Sequence, residues 1–270
     1  AYDAVPDDWV RAYRRARANV LAYHERQMPR SWLEEFDGLL LGERVRAVES
    51  AGVHVPGFSA PLFASVAMSV EPARAAGVER VVVATPPRKD GSIDPLVLVA
   101  CAESGVDTIY RMAGAQAIAA LAWGTETVEP VAVVVGPGNP YVMAAKRIVH
   151  GQVGIDNLAG PSESMIIADG HADPAWVAAD LICQAEHTGD NTVVLATDSP
   201  DLAAAVAASA EVQVRALGRA ELIRRSLFEH GMIALVADLG AAAALCNALA
   251  PEHLQLAVRD PLALLEQIHS

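Results

Sequence analysis

Apolar residues near the start of the chain recur with the spacing of a helix. Trp9, Val10, Tyr13, Ala16 and Val20 fall close to a 3.6-residue period, which predicts a first helix beginning near residue 8. The proline at position 29 interrupts this run, and the pattern predicts a second helix over about residues 32–49. The chain is therefore expected to open with helices.

Beyond residue 52 the pattern changes to short β-branched runs that alternate with Ala-rich helical runs. The predicted strands cover residues 80–85, 107–112, 131–135, 165–168, 192–197, 232–237 and 254–258. The predicted helices cover residues 72–77, 95–103, 116–123, 141–149, 174–186, 199–209, 219–229 and 239–249. Unbroken apolar strands between helices are typical of parallel sheets covered on both faces. The sequence therefore predicts two α/β domains that meet around residues 151–160.

The composition narrows the class of protein. Hydrophobic residues make up 53% of the chain and the mean hydropathy is +0.27, which excludes disordered and fibrous classes. The formal net charge of −13 argues against a nucleic-acid partner. No stretch of about 18 residues is free of charged or strongly polar side chains, so the sequence predicts no membrane span. The chain starts at Ala1 and stops at Ser270 directly after a helix-like run, so we expect a fragment.

The cysteines bear on the cellular compartment. Cys101, Cys183 and Cys246 are widely spaced and lie in apolar runs, without a C-x-x-C pair. We expect them to be buried thiols in a reducing compartment, which favours a cytoplasmic protein.

One segment rich in glycine and proline follows a predicted strand. Gly136-Pro137-Gly138-Asn139-Pro140 lies between the strand at 131–135 and a predicted helix. α/β sheets bind ligands beyond the carboxyl ends of their strands, and a helix N-terminus presents free N–H groups to an anion such as a pyrophosphate. An ordinary turn would have the same composition, and the G-x-G-x-x-G dinucleotide fingerprint is absent from the sequence.

Three further groups of residues carry candidate chemistry. Gln184 and His187 are three apart at the end of a predicted helix, so an amide oxygen and an imidazole could converge on one metal ion. Glu252 and His253 follow a helix-ending proline, which suits acid/base work near neutral pH. Ser162 lies at the junction of the two predicted domains, where a hydroxyl could meet a substrate. An ordinary helix end, a surface turn and a structural turn remain the alternatives for the three groups.

In combination, these segments resemble the histidinol dehydrogenase family. The resemblance runs from about residue 20 to about residue 258 and rests on nine segments in the family's order. The segments are Val55-Pro56-Gly57, Ala84-Thr85-Pro86-Pro87, Gly114-Ala115-Gln116-Ala117-Ile118-Ala119-Ala120-Leu121-Ala122, Gly124-Thr125-Glu126, Gly136-Pro137-Gly138-Asn139, Gly154-Ile155-Asp156, Ala159-Gly160-Pro161-Ser162-Glu163, Gln184-Ala185-Glu186-His187 and Ala250-Pro251-Glu252-His253-Leu254.

The resemblance implies a zinc- and NAD-dependent enzyme of histidine biosynthesis. Such an enzyme oxidises L-histidinol to L-histidine in two hydride transfers through a bound aldehyde. The implied zinc ligands, for one ion per subunit, are Gln184 and His187, and the implied catalytic acid/base pair is Glu252 and His253. Ser162 is an implied substrate contact, together with Gln184, His187 and His253.

The resemblance also implies cofactor contacts, an architecture and an assembly. The cofactor contacts fall on Gln116, Asn139 and His54. The implied fold is α/β, with two incomplete Rossmann-like domains that have parallel-rich sheets and follow N-terminal helices. We expect residues 1–51 to be a helical segment packing on the second α/β domain, residues 52–161 to be the cofactor domain, and residues 162–270 to be the zinc and substrate domain, truncated at its C-terminus. The resemblance further implies a homodimer that shares its active sites.

The chain departs from the family's pattern in four places. The family's other two zinc ligands, an Asp and a His, lie beyond the Glu-His pair, further along than Ser270, so we expect this chain alone to bind zinc weakly and to be inactive. His54 stands where the family usually has Tyr; taken alone, His54 has only a structural interpretation. Phe58 replaces a usual Gly, and residues 188–191 differ from the usual stretch after the zinc His.

Two other functions remain open at this point. Relatives that resemble this family oxidise small sulfonated diols, and His54 and Phe58 are compatible with such a change of alcohol. Ser162 favours histidinol, since those relatives tend to carry Thr there. The second alternative is a truncated, non-catalytic α/β module that binds a nucleotide or a protein partner.

Overall fold

The alternation of strands and helices predicted from the sequence is present in a computed structural model of the chain. The structure describes residues 1–57, 61–160, 162–187 and 191–270, and they divide into two compact units, Ala1–Ala159 and Gly160–Ser270. Phe58, Pro161 and residues 188–190, which figured in the comparison with the family's pattern, lie outside the described residues.

The first unit contains a five-stranded parallel sheet, a hairpin and five α-helices among its described residues. After a 3₁₀ turn at Tyr2–Ala4, its elements are α1 (Asp7–Glu25), β1 (Trp32–Phe36), β2 (Leu39–Glu43), β3 (Ser50–His54), α2 (Phe63–Ala75), β4 (Arg80–Thr85), α3 (Pro95–Glu103), β5 (Thr108–Arg111), α4 (Ala115–Trp123), β6 (Val133–Val135), α5 (Pro140–Val149) and β7 (Gly154–Ile155).

The sheet of the first unit has the order β5-β4-β3-β6-β7. Successive residues of a strand point to opposite faces. Val81 and Val83 accordingly pack in one apolar cluster, which includes residues of α1, α2 and α3, and Val82 packs in the cluster with residues of α4 and α5. Burial of both faces explains why these strands are continuously apolar.

The elements of the second unit are β8 (Glu163–Ala168), α6 (Pro174–Ala185), β9 (Thr192–Thr197), α7 (Pro200–Arg215), α8 (Ala220–His230), β10 (Gly231–Leu235), α9 (Leu239–Leu249), β11 (His253–Ala257) and α10 (Pro261–Leu265). Its four strands form a parallel sheet with the order β10-β9-β8-β11. Ile166 packs with residues of α6, α7 and α8 on one face, and Met165 packs with residues of α9 and α10 on the other. The predicted fold class is confirmed in both units.

The N-terminal helix α1 packs on α2 and α3 of the first unit, whereas its expected packing on the second α/β domain stays a prediction. The apolar stripe of α1 buries Val10 and Tyr13, and the Tyr13 ring joins the core cluster beneath α2 and α3. Arg17 of α1 donates hydrogen bonds of 2.8 and 3.1 Å to the buried carboxylate of Glu71 in α2. A buried charge needs a partner of this kind, which fixes α1 to α2.

The second predicted helix, over residues 32–49, is replaced by the antiparallel hairpin of β1 and β2. Asp37 and Gly38 form its turn with φ values of +48° and +79°. Positive φ at both central residues gives a type I′ turn, for which Asp-Gly is a preferred sequence. The Asp-Gly pair was the signal for a hairpin, and it outweighs the apolar spacing that had suggested a helix.

The limits of α2 and the exposure of one cysteine differ from the prediction. α2 begins at Phe63, well before the predicted start at residue 72, and it contains Pro72 in its last turn. Cys101 and Cys246 are buried, and burial raises the pKa of the Cys101 thiol to about 12. Cys183 is exposed, contrary to prediction, because it faces away from the buried side of α6. Among the described residues, no helix combines the length and the apolarity that crossing a bilayer requires.

Candidate functional site

The carboxyl ends of the parallel strands in the first unit meet at one edge of the sheet. The chain runs from β3 to β4 and β5 on one side and then returns to β6 on the other, so the order of the strands reverses between β3 and β6. Open α/β sheets bind ligands in the crevice at such a reversal. The Gly- and Pro-rich segment singled out in the sequence follows β6 and lies at this crevice.

Glycine is required at two positions of the loop after β6. A Cβ on Gly136, whose φ is +111°, would lie 2.2 Å from the carbonyl oxygen of His54, and a Cβ on Gly138 would lie 2.3 Å from Cγ1 of Val142. Asn139 is the N-cap of α5, since its Oδ1 accepts a hydrogen bond of 3.1 Å from the amide of Val142. The loop therefore brings bare backbone to a helix N-terminus, which fits a pyrophosphate group.

An ion pair with a buried lysine fixes the conformation of this loop. The Lys146 side chain is 1% exposed, and its Nζ donates hydrogen bonds to Oδ1 of Asp156, at 2.6 Å, and to the carbonyl oxygen of Gly136. The other carboxylate oxygen of Asp156 accepts a hydrogen bond of 2.8 Å from the amide of Gly136. Both backbone groups of Gly136 are therefore fixed by one pair of charges. Sequence analysis assigned no role to this pair, although Lys146 is one of two lysines in the chain.

His54 lies at the same crevice, at the end of β3, and it is buried. Its Nδ1 lies 2.8 Å from the carbonyl oxygen of Pro137, and its Nε2 accepts a hydrogen bond of 3.2 Å from the amide of Gly114. Burial lowers the pKa of His54, the bond to Pro137 opposes this, and the Lys146 ammonium adds to the lowering. Both ring nitrogens are thus engaged within the protein.

The other predicted cofactor residues are exposed at this edge. Gln116 lies in the first turn of α4, directly after the loop that ends β5. Its amide lies beside Gly114, since a Cβ on Gly114 would be 3.1 Å from the Oε1 atom of Gln116. Asn139 is exposed on the neighbouring loop. The structure thus places Gln116, Asn139 and His54 at one edge of the sheet.

The candidate residues of the second unit lie at the amino edge of its sheet, where the parallel strands begin. Ser162 immediately precedes β8, and its carbonyl oxygen accepts a hydrogen bond of 3.2 Å from the amide of Thr192, the first residue of β9. His253 is the first residue of β11 and is paired with Ser164. A search restricted to the carboxyl ends of the strands misses Ser162 and His253, because these residues lie at the starts of β8 and β11.

Gln184 and His187 reach this edge from the end of α6, which runs back to the start of β9. Gln184 lies in the last turn of α6, and His187 is exposed just beyond it. The Nε2 atom of Gln184 is buried, and no described residue accepts a hydrogen bond from it. Rotation of the Gln184 amide about its last torsion can present Oε1 instead, so Gln184 and the exposed imidazole of His187 fit a metal site that takes oxygen and nitrogen donors.

These two residues would supply two of the four ligands of a tetrahedral zinc ion. No group of three or more His, Cys, Asp or Glu side chains close enough to share a metal ion occurs in residues 1–57, 61–160, 162–187 and 191–270.

Glu252 and His253 lie at the same edge of the sheet, at the start of β11. Nε2 of His253 lies 3.9 Å from Oε1 of Glu252, and both side chains are about half exposed. The turn before them begins at Ala250, which caps α9 in the left-handed conformation with φ of +48°. An accessible imidazole beside a carboxylate can accept a proton from a bound hydroxyl and pass it to water.

Comparison with known proteins gives one consistent result. The family model for histidinol dehydrogenase matches residues 1–270. The histidinol dehydrogenase of Moorella thermoacetica is 51% identical over 271 residues, which cover 100% of this chain and 64% of that protein. The histidinol dehydrogenase of Bacillus subtilis is 48% identical over 269 residues, covering 99% of this chain and 63% of that protein.

A solved structure agrees with these relatives. The crystal structure of histidinol dehydrogenase from Elizabethkingia anophelis superposes with a TM-score of 0.96 at 36% sequence identity, covering 100% of this chain and 62% of that chain. This chain therefore spans somewhat less than two thirds of the length of the relatives that it matches.

Proposed function

This chain belongs to the histidinol dehydrogenase family, and from that premise we propose that it carries the cofactor loops and part of the substrate site of a zinc- and NAD-dependent alcohol dehydrogenase. The reaction is the oxidation of L-histidinol to L-histidine through the aldehyde, in two hydride transfers, as the last steps of histidine biosynthesis. The observation that carries the proposal is that Ser162, Gln184, His187, Glu252 and His253 all lie at the amino edge of one sheet.

The first oxidation needs a proton acceptor, which we assign to His253. An alcohol donates hydride readily only after its hydroxyl proton is removed, and the exposed Nε2 of His253 is free to take that proton. NAD, when bound, supplies the hydride acceptor. The alcohol carbon thereby becomes an aldehyde carbon, and the proton is released to water from His253.

The second oxidation needs water at the aldehyde, which we assign to Glu252. Its carboxylate is about half exposed beside His253, so it can accept a proton from an attacking water molecule and return it to the former carbonyl oxygen, which gives the aldehyde hydrate. The hydrate keeps the C–H bond of the aldehyde and carries two hydroxyl groups, and a second hydride transfer from that carbon, with proton loss to His253, yields the carboxylic acid. Acid/base assistance of this type typically contributes about 10²–10⁴-fold in rate.

The remaining candidate residues would bind zinc, the substrate and NAD. Gln184 and His187 would hold zinc, which supplies a Lewis acid that fixes the polar groups of the substrate. The hydroxyl of Ser162 would contact the substrate beside them. Gln116 and Asn139 would contact NAD on the loops of the first unit, where the glycine backbone and the start of α5 suit its pyrophosphate.

We also propose that the enzyme is a homodimer and that the β1–β2 hairpin is part of the interface between two copies. The hairpin is a two-stranded sheet by itself, and every residue from 25 to 44 is exposed. Two-stranded hairpins are marginally stable in water unless they pack on something. Its six large apolar side chains are 45–66% exposed, namely those of Trp32, Leu33, Phe36, Leu39, Leu40 and Leu41.

The size and the two-sidedness of this surface support a second copy as its partner. Leu33 and Leu40 lie on one face of the hairpin, and the other four apolar side chains lie on the opposite face. Stable protein–protein interfaces bury about 800 Å² on each partner, and aromatic and other large apolar side chains as exposed as these six are typical of the core of such an interface.

The experiment that tests the reaction uses the complete gene product that contains these 270 residues. Zinc per chain is measured by atomic emission, and NADH formation is followed with L-histidinol and with a small sulfonated diol. Chelator-sensitive NADH formation from L-histidinol, at two NADH per L-histidine formed, is the expected result. Turnover of the diol alone would transfer the same chemistry to another alcohol, and zinc-free protein without turnover on either alcohol would favour a non-catalytic module.

A further inference from the structure

We infer that His54 is a positioning residue: its neutral Nδ1–H imidazole ties together the two loops that receive NAD and makes no contact of its own with the cofactor. This inference rests on the proposed function, in which NAD binds to the loops around Gly114 and Gly136. It differs from the role that the resemblance to the family implied for this position, which was a cofactor contact.

The hydrogen bonds determine the protonation state of the ring. The carbonyl oxygen of Pro137 can only accept a hydrogen bond, so Nδ1 must carry a proton. The amide of Gly114 can only donate, so Nε2 must be unprotonated. A protonated imidazolium would place two N–H groups against each other at Gly114. The neutral Nδ1–H tautomer is therefore the one form that satisfies both loops.

The position of His54 in the sheet explains why it can join these loops. It ends β3, the strand at which the order of the sheet reverses, and β3 lies beside β4 and β6. The loop at Pro137 follows β6 on one side, and the loop at Gly114 follows β5 on the other side, beyond β4. One side chain at the centre thus reaches a loop on each side of the crevice.

Burial leaves the ring no surface with which to bind a ligand. His54 is 3% exposed, and both of its polar atoms are occupied. The approach of Gly136 to the carbonyl oxygen of His54 further closes the space around it, because a Cβ there would be 2.2 Å away. The Lys146–Asp156 pair fixes Gly136 and His54 fixes the next residue, Pro137, so the loop after β6 is held at two consecutive residues.

The consequence for NAD is indirect. Gln116 lies two residues beyond Gly114, and Asn139 lies two residues beyond Pro137. Loss of the imidazole would free both loops and raise the entropy that NAD binding must remove. Loss of the two hydrogen bonds that join the loops should therefore weaken NAD binding about tenfold.

The test combines NMR with NAD titration of the complete gene product. Side-chain ¹⁵N chemical shifts of His54 identify its tautomer, and amide hydrogen exchange reports the Gly114 bond; neither readout depends on NAD. The NAD dissociation constant is then measured for the wild type, for His54→Ala with and without added imidazole, and for the control His150→Ala, which removes an exposed histidine of the same unit.

We expect His54 of the wild type to be the Nδ1–H tautomer and the Gly114 amide to exchange faster in His54→Ala. We expect the NAD affinity of this variant to be about tenfold weaker and to be partly restored by imidazole. The NAD affinity of His150→Ala should equal that of the wild type. An Nε2–H tautomer, or an unchanged NAD affinity in His54→Ala, would overturn the inference while leaving the proposed function intact. A wild-type protein that has the expected tautomer but does not bind NAD would contradict the proposed function and the inference together.

Discussion

The ammonium group of Lys146 and the carboxylate of Asp156 lie 2.6 Å apart, and each also bonds one backbone group of Gly136. A single ion pair thereby defines the conformation of the loop in which we place the pyrophosphate of NAD. The pair is one-sided in its burial, since the Lys146 side chain is 1% exposed and that of Asp156 is 33% exposed.

Removal of the Asp156 carboxylate should lower the free energy of unfolding. Asp156→Ala leaves the Lys146 charge buried without a counter-charge, and we expect the free energy of unfolding of the first unit to fall by about 3 kcal/mol. Urea denaturation followed by tryptophan fluorescence measures this loss. Glu129→Ala is the matched control, because the Arg80–Glu129 pair of the same unit is 3.5 Å apart with an exposed glutamate, and its loss should stay below about 1 kcal/mol. Equal losses in the two variants would refute the role of the buried pair.

The contact between α1 and α3 should make stability depend on pH in the acid range. Hydrogen bonds from Arg14 lower the pKa of Glu103 from 4.5 to about 2. The folded chain therefore holds the charged form more strongly than the unfolded chain, so this stabilisation is present above pH 4.5 and is lost as the pH falls toward 2.

Arg14→Gln should accordingly flatten the decline of unfolding free energy over that interval. Denaturation curves recorded at several pH values test it. Arg215→Gln, which removes an exposed helical ion pair with Glu211, should leave the slope as it is. A slope in Arg14→Gln as steep as in the wild type would show that Glu103 does not carry the effect.

The turn before the Glu-His pair stores backbone strain. Ala250 has φ of +48°, a conformation that costs an L-residue about 1–2 kcal/mol and glycine almost nothing. Ala250→Gly should therefore raise the free energy of unfolding by about 0.5–1 kcal/mol after the greater entropy of unfolded glycine is counted. Ala204→Gly, at an exposed position inside α7, should instead lower it by about 1 kcal/mol. Destabilisation by both substitutions would argue against strain at Ala250.

The proposed proton acceptor can be separated from the proposed metal ligands. His253→Asn should reduce kcat for L-histidinol oxidation by about 10²–10⁴-fold and leave zinc content unchanged, because His253 is not assigned as a ligand. Stopped-flow NADH formation and metal analysis on one sample measure both quantities. His230→Asn, at the end of α8, serves as the control and should retain activity. Loss of zinc from His253→Asn would contradict the assigned role.

The hairpin surface should determine the oligomeric state. We expect the complete wild-type gene product to sediment as a dimer and Leu39→Glu to shift it to a monomer, because a charge on the face of the hairpin that carries four apolar side chains must be desolvated without a partner. Leu262→Glu changes another largely exposed leucine, in α10, and should remain dimeric. A monomeric wild type, or a dimeric Leu39→Glu variant, would remove the hairpin from the interface.

The sequence alone determined the class of the fold and many of its elements. Continuous apolar runs at 80–85 and 192–197 coincide with β4 and β9, and the runs at 95–103 and 239–249 coincide with α3 and α9. The physical reason is that a strand covered on both faces is apolar at most positions. In addition, an aspartate at the N-cap, such as Asp94 or Asp238, marks the residue at which a helix begins. The family's segments likewise identified the candidate site residues one by one.

Only the tertiary structure decided which of these residues lie together and what His54 does. Strand order is set by pairing between distant segments, so the sequence could not show that Ser162 and His253 lie at the starts of the neighbouring strands β8 and β11. The role of His54 depends on two backbone groups 60 and 83 residues away, and that of Lys146 depends on a carboxylate delivered by another loop. Local patterns carry information about burial and backbone conformation, whereas the partners of a buried polar group are fixed by packing across the whole sheet.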